Sequence, residues 1–178
     1  HLVVPVITDN DLVVLALRWA ISEMQRRYEI LAKVGARNLE SFNNRQLQEP
    51  EFDDEGNEIP AKIPFLVVII DEMADVMLTS RQDVETALAR IAQLSRAVGI
   101  HCIVATQRPS VNVITGIIKA NFPSRIAFQV ASQVDSRTII DGKGAEALLG
   151  KGDMLYKPAD GIRMQRLQGA FISEEEIR

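Results

Sequence analysis

The sequence predicts an α/β fold around a mostly parallel sheet. Three observations carry this. Phe65-Leu66-Val67-Val68-Ile69-Ile70 is apolar at every position, as a strand covered on both faces requires. Ile100–Ala105 repeats that pattern apart from His101. Between them Val84, Leu88, Ile91, Leu94 and Val98 recur at helical spacing, so strand, helix and strand form a right-handed crossover unit. Composition sets the frame: 178 residues, 47% hydrophobic, with 20 Lys+Arg against 24 Asp+Glu and a net charge of -4. That is enough apolar material for one buried core and excludes a disordered or collagen-like chain.

Residues 2–7 read as a short strand ended by Thr8-Asp9-Asn10, any of which can cap a helix. That helix is expected from Leu12 to Lys33. Val13, Ala16, Leu17, Ala20, Met24, Tyr28 and Leu31 form its apolar stripe, Glu23, Arg26, Arg27 and Glu29 fall outside it, and Gly35 ends it. Residues 43–62 hold six acidic side chains, Pro50, Gly56 and Pro60 without helical period, an exposed loop or small hairpin. The two central strands follow, with the helix at 82–98 between them and Gly99 closing it. A third strand is expected at 124–130, a short helix near 132–139, a glycine-rich turn region from Asp141 to Gly152, and an antiparallel hairpin from 154–157 and 163–172. Ser173-Glu174-Glu175-Glu176 reads as a helix start or linker.

Cys102 is the single cysteine, so no intrachain disulfide forms, and a reducing, cytoplasmic setting is the natural reading. No apolar stretch reaches the roughly 18–20 residues of a membrane helix, and no leader precedes His1. Beginning inside an apolar run without Met, the chain reads as a piece of a longer protein.

Asp71 and Glu72 sit at the carboxyl end of a buried parallel strand, where open α/β sheets bind ligands. In nucleoside-triphosphate chemistry the first carboxylate suits a magnesium ion reached through water, and the second suits orienting the attacking water. This is a Walker B pattern, although a strand also meets a polar helix cap by chance. Thr106-Gln107 ends the next strand and belongs beside that pair, where a polar γ-phosphate sensor is needed. Such catalysis wants an arginine, from the same chain or a neighbour, and Arg96, Arg125 and Arg137 are the candidates. The phosphate-cradling G-x-x-x-x-G-K-[ST] does not occur. Its nearest imitation, Ala145–Gly152, lacks the first glycine and the hydroxyl residue, and reads as a turn leading into the hairpin. His1 and His101 have no ligand-spaced partners, so no metal site built of protein side chains alone is expected.

Arg18-Trp19-Ala20 with Glu23–Tyr28, Val34–Asn38, Val68-Ile69-Ile70-Asp71-Glu72-Met73-Ala74-Asp75, Ala105-Thr106-Gln107-Arg108-Pro109-Ser110, Ile114–Asn121, Asp135–Asp141 and Gly150–Tyr156 together resemble the FtsK/SpoIIIE family of DNA translocases over almost the whole chain. Only the acidic segment 43–62 falls outside. The resemblance implies a RecA-like P-loop NTPase core fragment, with residues 1–178 forming part of a motor domain. Its phosphate loop would lie upstream of His1 and its winged-helix domain beyond Arg178. It implies a hexameric ring that pumps double-stranded DNA using ATP and Mg bound between subunits. It also implies a role for Asp71 as the magnesium carboxylate, Glu72 as the catalytic carboxylate, Gln107 as the sensor and Arg96 as the arginine finger. Arg108 and Lys119 match channel-facing positions, while Gln133 stands where family members often carry Lys. The net charge of -4 argues weakly against nucleic acid, yet a ring needs basic residues only on its inner loops. The fragment itself is expected to make no membrane contact and to lack ATPase activity without a phosphate loop. The rival readings are an assembly or binding module without ATPase activity, and a related hexameric helicase or conjugative coupling ATPase.

Overall fold

The computed structural model describes residues 2–161 and 163–177. The chain separates into two compact units, His1–Gln107 and Arg108–Arg178, where composition had indicated a single core.

In the first unit, residues 2–7 form no strand. Leu2, Val3, Val4 and Val6 are exposed, and an extended segment with no neighbouring strand leaves its backbone groups to water. Helix α1 (Asn10–Lys33) is capped by Asp9, which accepts from the Asp11 amide. It buries Leu17, Ala20, Met24 and Leu31. Two positions on it differ from the expected stripe: Tyr28 lies at the exposed margin and Arg27 is inside, 4% exposed. Arg27 is tolerated there because Nε donates to Glu23 at 2.8 Å and Nη1 to the Val98 carbonyl at 3.0 Å, which satisfies a buried charge. A short helix α2 (Leu39–Asn43), not foreseen, starts on a reciprocal capping box between Asn38 and Ser41. The acidic segment folds as the hairpin β1 (Glu51–Phe52) and β2 (Glu58–Ile59).

The crossover unit is β3 (Leu66–Ile70), α3 (Met73–Leu94) and β4 (Ile100–Val104). The strands pair in parallel, Leu66 opposite Ile100 through Ile70 opposite Val104. Helix α3 starts at Met73 rather than 82, because Glu72 supplies its N-cap, and it kinks at Ser80 (φ -149°, ψ 63°); the regular apolar period belongs to its second half. The expectation that both faces of the strands are covered is corrected. Ile70 is buried, but Val67, Ile69 and the facing Ile103 are exposed, Ile69 at 68%.

The second unit comprises α4 (Gly116–Asn121), β5 (Arg125–Ala127), α5 (Gln133–Ile140), β6 (Asp153–Lys157), β7 (Gln165–Gln168) and α6 (Glu174–Ile177). Strand β5 pairs antiparallel with β6, and β6 with β7, so the expected hairpin gains a third strand. Ala127, Ile140, Ala145 and Leu148 form its core. Thr115 and Ser132 cap α4 and α5 through their hydroxyls. Gly150-Lys151-Gly152, all at positive φ, make the turn into β6. This segment follows no strand and opens no helix, so it lacks the geometry of a phosphate loop.

Candidate functional site

At the carboxyl end of the strand pair, backbone bonds continue the ladder past the last residues. The Ala105 amide donates to Ile70 and the Met73 amide to Ala105, both at 2.8 Å. Asp71-Glu72 and Thr106-Gln107 therefore emerge side by side. Glu72 Oε1 accepts from the Ala74 amide at 3.0 Å and from the Thr106 hydroxyl, and Oε2 accepts from the Gln107 amide at 2.9 Å. The carboxylate is half-buried and held in one orientation. Asp71 is exposed beside it. Gln107 meets Glu72 through its backbone, which leaves its side chain exposed. Sequence reasoning placed Thr106 in this neighbourhood but missed that its hydroxyl orients Glu72; the only signal was its register, one residue past Ala105, which accepts from the Met73 amide.

Arg96 lies at the opposite end, in the single 3-10 turn Arg96–Val98 that precedes β4. Five strand residues separate the two ends, about 16 Å, so Arg96 is not part of its own chain's Asp71–Glu72 cluster. Three bonds brace the turn. Tyr28 donates its hydroxyl to the Leu94 carbonyl at 2.5 Å, Ser95 donates to the Ile100 carbonyl at 2.7 Å, and Arg27 donates to Val98. Gly99 closes the turn at φ +71°, a conformation L side chains resist. A Cβ there would fall 2.1 Å from Leu39 Cδ2. Segment 35–39 therefore packs directly on the Arg96 turn, which brings Arg37 to the same cavity, about 570 Å³ in volume, as Arg96, Tyr28, Asn38, Glu40 and His101. Both arginines are exposed.

In the second unit Lys119, Arg125 and Lys157 converge on Asp141 at 2.8, 2.5 and 2.8 Å. Burial pushes the Asp141 carboxyl up, but the bonds from Lys119, Lys157 and Arg125 outweigh it and hold the group well below the usual carboxylate range. Arg125 also donates to the carbonyls of Lys119, Phe122 and Ile139, closing helix ends, which makes it a structural residue. Arg137 is exposed on α5, and Arg108 is exposed where the second unit begins. Burial pushes the Cys102 thiol up to about 11, so it is an inert strand residue. Among the described residues no three His, Cys, Asp or Glu side chains form a metal-binding group, and no helix is long and apolar enough to cross a membrane.

A crossover unit that ends in paired carboxylates beside a polar strand end is the arrangement of P-loop ATPase motor domains, and solved structures bear this out. The conjugation coupling protein TcpA of pCW3, solved as a monomer with ATPγS, superposes with a TM-score of 0.78 over 96% of this chain and 47% of its own, at 26% identity. The cytoplasmic domain of the Thermomonospora curvata type VII secretion ATPase EccC shares the fold, with a TM-score of 0.74 over 90% of this chain and 18% of its own at 23% identity. The chain belongs to the FtsK/SpoIIIE family, whose model matches residues 1–111. It is 55% identical to the DNA translocase FtsK of Sporosarcina ureae over 99% of this chain and 22% of that protein. The DNA translocase SftA of Bacillus subtilis (strain 168) is also 55% identical, over 99% of this chain and 18% of its own length. The chain thus spans about a fifth of the length of the curated relatives it matches.

Proposed function

We propose that this chain supplies the hydrolytic carboxylates, the sensor and a trans-acting arginine of an ATP-driven motor that moves double-stranded DNA through a hexameric ring. The observation that carries it is the placement of Glu72 against Thr106 and Gln107 at one end of β3–β4, with Arg96 at the other end. The residues present fit ATP and magnesium in part. Asp71 is an exposed carboxylate at the strand end, and magnesium takes one or two carboxylates together with water and phosphate oxygens rather than a full protein cage. The sequence has no phosphate loop, so this chain holds only the metal side and the γ-phosphate side of the nucleotide. When bound, ATP-Mg supplies the activated phosphoryl group. Asp71 binds the ion through water. Glu72, fixed by its hydrogen bonds, orients the attacking water and accepts its proton. Gln107 senses the γ-phosphate through its exposed side chain, and because its backbone amide is bonded to Glu72, a backbone shift at Gln107 moves the base. Arg96 reaches a nucleotide in a neighbouring copy, since its own site is a strand's length away. Arg108 and Lys119 face DNA, where contacts to phosphates carry no sequence information.

The test is Glu72→Gln in the full-length protein. ATP affinity should stay within about twofold while turnover falls at least ~100-fold, the low end of what a positioned base contributes. A loss of less than about tenfold would remove Glu72 as the base.

A further inference from the structure

We infer that Arg37 is a second phosphate-binding cation, presented together with Arg96 to the nucleotide held by a neighbouring copy of the chain. The inference rests on the trans reading of Arg96 and adds a residue to it.

The two guanidiniums come from distant parts of the sequence, and several independent features of the fold put them on one cavity. The Gly35 turn at φ +67° ends α1 and redirects the chain. Asn38 is fixed by its capping box with Ser41. Leu39 is buried against the bare face of Gly99. Arg37 thus sits on a segment pinned on both sides, facing a turn that Tyr28 and Arg27 pin from α1. Neither Arg37 nor Arg96 has an ion-pair partner among the described residues. Arg26, Arg27, Arg45, Arg81, Arg125 and Arg166 are each paired with a carboxylate. A braced pair of unpaired guanidiniums beside the Asn38 side-chain amide suits a polyanion with several oxygens. Glu40 lines the same cavity and offsets only one of the two arginines, so the cavity still attracts an anion, and one with several oxygens can engage both guanidiniums at once.

The experiment measures ATP affinity in the full-length protein carrying Glu72→Gln, so that nothing is hydrolysed, above and below the concentration at which rings assemble. Adding Arg37→Ala should weaken ATP binding about tenfold, the size of one charge-assisted bond, in assembled rings only. Arg37→Lys should recover part of the loss, since it keeps the charge without the fork. Equal loss in rings and single subunits, or no loss in either, overturns the inference. So does lost assembly with unchanged affinity in the rings that remain, which would make Arg37 the partner of a neighbour's carboxylate. If Arg37→Ala fails to fold, Arg37→Gln is held to the same outcomes. Arg96→Ala run in parallel separates the two proposals. Rescue of Arg96→Ala turnover in rings mixed with Glu72→Gln subunits, without a ring-specific affinity loss for Arg37, sinks only the second cation, and no rescue in demonstrably mixed rings sinks the trans reading as well.

Discussion

Two groups of cations in this chain are built in opposite ways. In the second unit Lys119, Arg125 and Lys157 surround Asp141, and Arg125 spends its remaining donors on helix-end carbonyls. Their charge is largely consumed in holding α4, β5, α5 and β6 together. In the first unit the supports of Arg37 and Arg96 are satisfied, while the guanidiniums themselves face a cavity. Positive charge counted from sequence is therefore not the charge a ligand meets. What matters is whether the chain has already supplied the counter-ion, and for Arg37 and Arg96 it has not.

The largest test of this contrast is Arg96→Ala in the full-length protein. An arginine that neutralises charge on a transferring phosphoryl group contributes about 10³-fold or more to turnover, roughly 4 kcal/mol of barrier. Folding should be unaffected, because the exposed side chain braces nothing. Mixing with Glu72→Gln subunits should restore activity at interfaces that join an intact Glu72 to an intact Arg96. If demonstrably mixed rings stay inactive at every ratio, Arg96 does not serve a neighbour, and the first unit's cations are no more available than the second's.

The brace beneath the arginines can be tested without nucleotide. Gly99 and Gly35 share a left-handed backbone, at φ +71° and +67°, yet a Cβ at Gly99 meets Leu39 at 2.1 Å whereas at Gly35 nothing lies within 4 Å. Gly35→Ala should cost only the conformational penalty, about 1–2 kcal/mol. Gly99→Ala adds overpacking, for a total of about 2–5 kcal/mol. Urea denaturation of the two variants measures the difference directly. Equal losses would mean that Leu39 yields freely and that segment 35–39 does not fix Arg37 against the Arg96 turn.

Much of this was legible in the sequence, for physical reasons that also explain what was not. The strand β3 announces itself because six consecutive apolar residues ending in Asp-Glu have few other uses, β4 through the similar run Ile100–Ala105, and α1 through its period and its cap. The start of α3 was hidden because Glu72 is at once a candidate catalytic residue and a helix cap, and the kink at Ser80 breaks the period. Arg27 counted as a surface charge until Glu23 and the Val98 carbonyl closed around it. Arg37 carried no signal beyond membership of Val34-Gly35-Ala36-Arg37-Asn38. Its meaning depends on Gly99, more than sixty residues away, and a period or a motif does not report such a pairing. The same holds for Lys119, whose tie to Asp141 spans α4 to the end of α5.

The smallest expected effect concerns that tie. If Lys119 faced DNA with its full charge, Lys119→Ala would reduce the slope of log affinity against log salt by nearly the 0.9 or so of one whole phosphate contact. Asp141 lies 2.8 Å from its ammonium and takes part of that charge, so the reduction should be about half as large or less. Asp141→Asn is the converse change. It removes one negative charge from a cluster of three cations, so duplex affinity should rise a few-fold between about 50 and 200 mM salt, with a steeper slope and no sequence preference. Thermal unfolding of Asp141→Asn must be followed in the same samples, because three cations left without their carboxylate repel one another and will loosen the second unit to some degree. A folded Asp141→Asn protein with unchanged affinity and slope would mean that this cluster does not face DNA at all. Lys119, Arg125 and Lys157 would then be purely structural, and the contrast with the open arginines of the first unit would be complete.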